Sequence, residues 1–252
     1  METKLYADRI TVALHTKHFG RHLELFETLP STNTYLKQQN DLPHGAVIIA
    51  ADQTAGRGRR GRDFFSPLGG LYMSVLVRRT LTAETVGLLT NAAAVAVANA
   101  IESVCPVSAQ IKWVNDLLIN GKKVCGILAQ GAPADGWAII GVGVNVNTAD
   151  FPRELENIAT SLYRESGKTV SPERLAAEIL NALEPLVDNV ENPVFLEEVR
   201  RRSAIIGKDI TVFRGNETFT ARAVGIDHTG GLIIQTDGKE TVLTSGEVSV
   251  RL

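Results

Sequence analysis

Cysteine, methionine and tryptophan are scarce, at two of each in 252 residues. The cysteines, Cys105 and Cys125, form no CxxC, so neither a disulfide framework nor a thiolate metal site is expected. Net charge is nearly absent too: 26 Lys+Arg against 28 Asp+Glu leave −2. A chain whose whole surface seeks acidic partners carries a clear excess of base, and this one does not. No apolar run approaches the roughly 18 residues of a membrane span, and no signal peptide opens the chain, so a cytoplasmic protein off the membrane is expected. Repeats and low-complexity segments are missing as well. His15, His18 and His22 share a helix-like spacing. Phe19-Gly20 interrupts it and no acid or cysteine joins them, so no metal is assigned there.

What is present is an ordinary globular composition, 44% hydrophobic and 21% charged. The length suits one sizeable core, or a large unit and a small one. Residues 22–28, HLELFET, alternate as a strand does. Pro30, Ser31 and Asn33 then supply turn and helix-start chemistry before a short helix, TYLKQQN. AVIIAA (46–51) and LYMSVLV (71–77) read as strands, and residues 84–102 as the clearest helix. Residues 111–131 carry Asn120-Gly121, a two-residue hairpin turn between apolar strands. WAIIGVGVNVN (137–147) is a further strand whose small residues permit close approach. Helices are expected at 172–189 and 194–204, and the first residues, LYADRITVALH, read as strand-like. After about residue 205, five short β-rich runs separated by Gly, Asn and Asp suggest a small barrel. The fold class is therefore α+β: a mixed β-sheet backed by helices over 1–204, and a small barrel over 205–252.

Against this neutral background, residues 56–62 read GRGRRGR, three glycines among four arginines. Gly56 to Gly61 match GxxxxG, but Arg62 and Asp63 stand where a Walker A loop needs Lys and Ser/Thr, so that reading is rejected. An RNA-binding tract would be longer and repeated. A solvated loop tip is the plain alternative. The remaining reading is a loop that closes over an anionic small molecule. Glycines let backbone N–H groups face oxygens, and arginines bring charge and forked donors. Four neighbouring guanidinium groups repel one another, so such a loop should stay mobile until an anion neutralises it.

The flanking residues favour the last reading. PSTN (30–33), ADQTAGRGRRGRDFFSP (51–67), KWVNDLLINGKKVCGIL (112–128) and GVGVN (141–145) occur in one order. Together they resemble the catalytic domain of biotin protein ligases. GKDITVF, ARAVGID, GGLII and GEVSVRL (246–252) resemble the same family's SH3-like C-terminal domain. The likeness runs from residue 22 to the end. It implies a class II synthetase-like catalytic domain with a small SH3-like β-barrel behind it. It also implies a two-step reaction: biotin and ATP, with Mg²⁺, give biotinyl-5′-AMP and pyrophosphate, and a lysine of a carrier protein then displaces AMP. The carrier would be the biotin carboxyl carrier protein of acetyl-CoA carboxylase or of a related carboxylase. A lipoate-type ligase and an RNA-binding module remain the alternatives.

Carried over position by position, the resemblance implies biotin recognition by Ser31, Thr32, Asn33, Gln53, Arg57, Gly58, Arg59 and Lys123. Catalysis falls to Arg57, Lys123 and Asp116. Lys123 would sit between the biotin carboxylate and the α-phosphate. The nucleotide side comprises Arg59, Phe64, Lys112, Asn115, Asn145 and Arg251. Asp116 would hold Mg²⁺ or accept a proton, and the sequence leaves both roles open. Phe64 stands where relatives often have tryptophan against adenine, and Val114 where they have proline. Lys122 is expected to face solvent, opposite Lys123. Only 30 residues precede Ser31. A helix-turn-helix module needs on the order of 60, so no specific DNA binding is expected. A homodimer through a sheet edge is open.

Overall fold

The computed structural model describes residues 4–244 and the backbone of 248–251. Its first element is a helix, α1 (Ala7–Thr11), where a strand-like start was expected. The alternation fails physically there: it would bury Val12, which is 83% exposed, whereas a single turn sends Ile10 into the core beside the later helix Pro172–Asp188.

Next come β1 (Leu23–Leu29), α2 (Thr32–Lys37), β2 (Val47–Gln53), β3 (Leu71–Arg78) and α3 (Ala83–Val104). Then follow β4 (Gln110–Lys112), β5 (Asp116–Ile119), β6 (Lys122–Ala132), β7 (Trp137–Val144), α4 (Leu162–Ser166), α5 (Pro172–Asp188) and α6 (Leu196–Arg201). Seven strands form one sheet in the order β1-β2-β3-β7-β6-β5-β4. Only β1 and β2 pair in parallel, so the sheet is mixed. The β5–β6 turn has positive φ at Asn120 (50°) and Gly121 (79°). This is the mirror-image turn that matches strand twist and that Asn-Gly favours.

The two faces of the sheet differ. Met73, Val75 and Val77 of β3 and Ile140, Val142 and Val144 of β7 join the large core with α3 and α5. Alpha-helix α3 is apolar nearly all round because it lies between that face and α5, the expected setting of such a helix. Among the described residues it is the one helix long and apolar enough to cross a membrane by length and composition, against the expectation that no such run exists. Its burial is that of a core helix. Thr82 and Thr85 form a reciprocal capping box at its start. The opposite face, with Ile48, Ala50, Leu76 and Ile139, carries only α2 over a smaller cluster.

Helix α6 is shorter than the expected 194–204. Beyond Arg201 the chain extends and pairs with the edge strand β4: Ile111 N–H donates to the Arg202 carbonyl (2.9 Å) and Ala204 N–H to that of Ile111 (2.8 Å). Backbone pairing at an open sheet edge outcompetes another helical turn there. The last strands, β8 (Asp209–Arg214), β9 (Glu217–Ile226), β10 (Leu232–Thr236), β11 (Lys239–Leu243) and β12 (Val248–Arg251), form an antiparallel sheet of SH3-like kind. Its order is β11-β10-β9-β8-β12. Gly246, Glu247 and Leu252 lie outside the described residues, as does the side chain of Arg251, whose backbone pairs with Thr211.

Candidate active site

The pocket sits on the α2 face, where the sheet's side chains shrink to almost nothing. Ser74 lies opposite Gly141, and Gly141 opposite Leu128; Tyr72 lies opposite Gly143, and Gly143 opposite Gly126. These positions on β3, β7 and β6 make the floor. Its glycines are obligatory for close approach. A Cβ on Gly141 would fall 2.3 Å from Asn33 Oδ1, and one on Gly143 2.5 Å from the Phe64 ring. The GVGVN spacing thus places both glycines on one face, as period-2 alternation requires.

One end of the pocket is a closed polar network. Ser31 caps α2, its hydroxyl accepting from Thr34 N–H. Gln53 Oε1 accepts from Thr32 N–H (2.9 Å) and from Thr32 Oγ1 (3.2 Å). Gln53 Nε2 donates to Ser66 Oγ (3.1 Å). Ser74 Oγ, fully buried, lies 2.6 Å from Asn33 Oδ1 and 2.7 Å from Thr32 Oγ1. Asn33 Nδ2 donates to the Leu128 carbonyl (3.3 Å) and Gln130 Oε1 (3.2 Å). The Asn33 and Gln53 amides are therefore held in fixed orientations on the wall of the pocket.

The other end is basic. The GRGRRGR loop is a short hairpin: Phe64 N–H donates to the Gly56 carbonyl (2.9 Å), Gly58 N–H to that of Arg62 (2.7 Å), and Arg57 bridges Asp63. A 3₁₀ turn, Arg59–Gly61, makes the tip, with Arg60 in the left-handed region (φ 58°). Arg57 and Gly58 line the pocket. Arg59 reaches Asn115, its Nη1 donating to Oδ1 (3.3 Å). Burial pulls the Arg59 guanidinium below its usual pKa, Asp116 opposes that pull, and Arg60 and Arg62 add to it. A counter-anion at this end would relieve the same cost.

Lys123, at the start of β6, pairs with Asp116 at 2.6 Å and lies 5.3 Å from the centroid of the Phe64 ring. Lys122 turns away, its Nζ donating to the Glu156 carbonyl (3.3 Å). The Phe64 ring lies against Gly126 and Gly143, so it sits inside the pocket. The remaining cavity is about 40 Å³. Small-molecule sites usually offer roughly 300 Å³ or more, so the loop and Phe64 must shift to admit a ligand.

Ser31, Thr32, Asn33, Gln53, Arg57, Gly58, Phe64, Asn115 and Lys123 all line this pocket. Arg59 and Asp116 join it through Asn115 and Lys123. Lys112 pairs across β4–β5 with Asp116. Asn145 is buried just beyond Val144, with Nδ2 on the Thr160 carbonyl (3.0 Å) and Oδ1 without a partner. Val114 is buried, and the Trp113–Val114 peptide is cis. Sequence reasoning missed Tyr72, Ser74, Gly126, Leu128 and Gln130. Tyr72 and Ser74 share one phase of an otherwise apolar strand, and only the register with β7 shows that this phase faces the pocket.

The chain matches the Biotin/lipoate A/B protein ligase family over residues 25–147 and the Biotin protein ligase C terminal domain over 205–251. Fold and pocket thus define a protein ligase of the biotin and lipoate class. Among relatives, the bifunctional ligase/repressor BirA of Bacillus spizizenii is 36% identical over 92% of this chain and 75% of its own. The biotin–[acetyl-CoA-carboxylase] ligase of Mycobacterium tuberculosis is 34% identical over 81% of this chain and 78% of its own. The Aquifex aeolicus biotin protein ligase, solved in complex with biotin and ATP, superposes with a TM-score of 0.81 at 29% identity, covering 92% and 99% of the two chains. This chain belongs to the biotin protein ligase family.

Proposed function

We propose that this protein activates biotin with ATP to biotinyl-5′-AMP and transfers biotin to a lysine of the biotin carboxyl carrier protein of acetyl-CoA carboxylase. The observation that carries this reading is the polarity of the pocket. A fixed network of Thr32, Asn33, Gln53 and Ser74 suits a ureido ring at one end. Arg57 and Lys123 suit a carboxylate and phosphate at the other.

In the first step a carboxylate oxygen of biotin attacks the α-phosphorus, an O–P bond forms, and pyrophosphate leaves with the electrons of the broken bond. Lys123 and Arg57 offset the repulsion between the two anions and stabilise charge on the α-phosphate. In the second step a neutral carrier lysine attacks the acyl carbon, a C–N bond forms, the acyl C–O bond breaks with its electrons leaving on AMP, and the nitrogen's surplus proton passes to AMP or solvent. The loop over the pocket keeps water from the anhydride until then.

Among the described residues no three His, Cys, Asp or Glu side chains cluster as a metal cage. Mg²⁺ is usually held by phosphates, water and one or two carboxylates. Asp116, half-buried and partnered by Lys123, would hold it in this reading, or accept a proton from the carrier lysine. When bound, the ion neutralises phosphate charge. Asn115 and Asn145 face the nucleotide side in this reading, with Lys112 behind Asp116. The chain divides near residue 204 into a catalytic domain and an SH3-like domain and works in the cytoplasm.

The test is ATP-dependent incorporation of biotin into a purified apo-carrier domain, read by mass. Incorporation by the wild-type chain and a loss of 100-fold or more in Lys123→Gln are expected. No incorporation by the wild type overturns the proposal, and an unimpaired Lys123→Gln overturns the role of Lys123.

A further inference from the structure

We propose that Trp113 is a positioning residue through which the turn 227–231 of the C-terminal sheet sets the reactive end of the pocket. The inference rests on the ligase reading above. Trp113 is buried, and its indole N–H donates to the Gly230 carbonyl at 3.0 Å, across 117 positions of chain. The acceptor is presented by a rigid turn. Asp227 Oδ1 accepts from Thr229 N–H (2.9 Å), Thr229 Oγ1 (2.9 Å) and Gly231 N–H (2.8 Å). Arg200 holds the turn from behind, its Nε donating to the Ile226 carbonyl (2.8 Å). Gly230 has φ 80° and seats against α3, where a Cβ would fall 2.5 Å from Asn91 Nδ2.

The segment carrying Trp113 is gripped just upstream as well, since Ile111 is hydrogen-bonded on both sides to residues 202 and 204. Directly downstream stand the groups that chemistry needs. Asn115 exchanges hydrogen bonds with Ile127 (Asn115 Nδ2 to the Ile127 carbonyl, 3.3 Å; Ile127 N–H to the Asn115 carbonyl, 2.8 Å) and receives Arg59. Asp116 holds Lys123. The polar end of the pocket, from Thr32 to Ser74, makes none of these contacts. Loosening Trp113 should therefore disturb the reacting groups and spare biotin recognition.

The experiment compares Trp113→Phe, which removes only the N–H donor and the second ring, with Gly230→Ala and the double variant in the full chain. Adenylate formation is measured well below each variant's Tm. For Trp113→Phe we expect kcat for adenylate formation to fall about tenfold while KM for biotin stays within twofold. The double variant should be no worse than the poorer single one, because both cut the same link. If Gly230→Ala does not fold, Asp227→Ala, which removes the acceptor organising the turn, replaces it. Native kcat in Trp113→Phe, or losses that multiply in the double variant, overturns the inference. Absence of adenylate from the wild type instead overturns the ligase reading.

Discussion

Gly141 shows how much of the site rests on an absent side chain. Its α-carbon faces Asn33 so closely that a methyl group has nowhere to go. Gly141→Ala should raise KM for biotin at least tenfold by driving the Asn33 amide out of place. Tm should fall as well, because the displaced amide gives up its buried hydrogen bonds to Ser74, Leu128 and Gln130. Titration calorimetry with biotin and thermal unfolding of the variant check the two halves, and unchanged affinity would refute the geometry. Ser74→Ala tests the same amide from the other side. It leaves Asn33 Oδ1 buried without a donor, a cost of about 1–3 kcal/mol in stability. Much of this was legible beforehand. The GVGVN spacing announced close approach, and Ser31, Thr32, Asn33 and Gln53 were named from their motif. Ser74 and Tyr72 were hidden because LYMSVLV reads as a buried strand whichever way its polar atoms point. Only the register with β7 shows that they share a floor with glycine.

Elements differ in how openly they declared themselves. Helix α3 was plain because alanine and leucine recur over many turns, and the β5–β6 hairpin was plain because Asn-Gly permits the positive φ it needs. Short pieces were not. Helices α1 and α4 have five residues each, too few for a 3.6-residue period to stand out. The end of α6 was misread because its competitor, pairing with β4, is contributed by a segment some 90 residues away. Two predictions belong at this scale. Leu180 of α5 is fully buried in the core shared with α3, so Leu180→Ala should cost about 2–5 kcal/mol in denaturant unfolding without altering KM for biotin. The arginine hairpin is tied at its base by Gln53 and Ser66 but has an exposed tip. Trypsin should cut within 57–62, and biotin with ATP should slow that cut at least fivefold. Equal cutting with and without them would contradict closure of the loop over its ligand.

At the scale of the whole molecule, Arg202 ties α6 to α3 just before the chain enters the C-terminal sheet. Its guanidinium binds Glu102 and Asn99 of α3, Glu198 of α6 and the Ala109 carbonyl. Hydrogen bonds from Arg201 and Arg202 outweigh burial and hold Glu198 at a pKa of about 2, below its usual 4.5. The unfolded chain then binds more protons between those values, so this stabilisation is complete above about pH 4.5 and is lost as pH falls toward 2. Glu198→Gln should therefore lower Tm at pH 7, and its deficit against the wild type should shrink as pH falls through that window. A deficit independent of pH would show that the carboxylate charge plays no part. How the two sheets meet was the least legible feature of all, since Trp113 and Gly230 carry no local signal of each other. Phe64 has a last consequence at this scale. By resting on Gly126 and Gly143 its ring covers part of the pocket floor, so apparent affinity for biotin is intrinsic affinity discounted by the population with the ring swung out. Shortening that side chain to leucine would lower the discount for biotin and, by removing the ring face, weaken ATP binding; biotin affinity no tighter than that of the wild type would count against it.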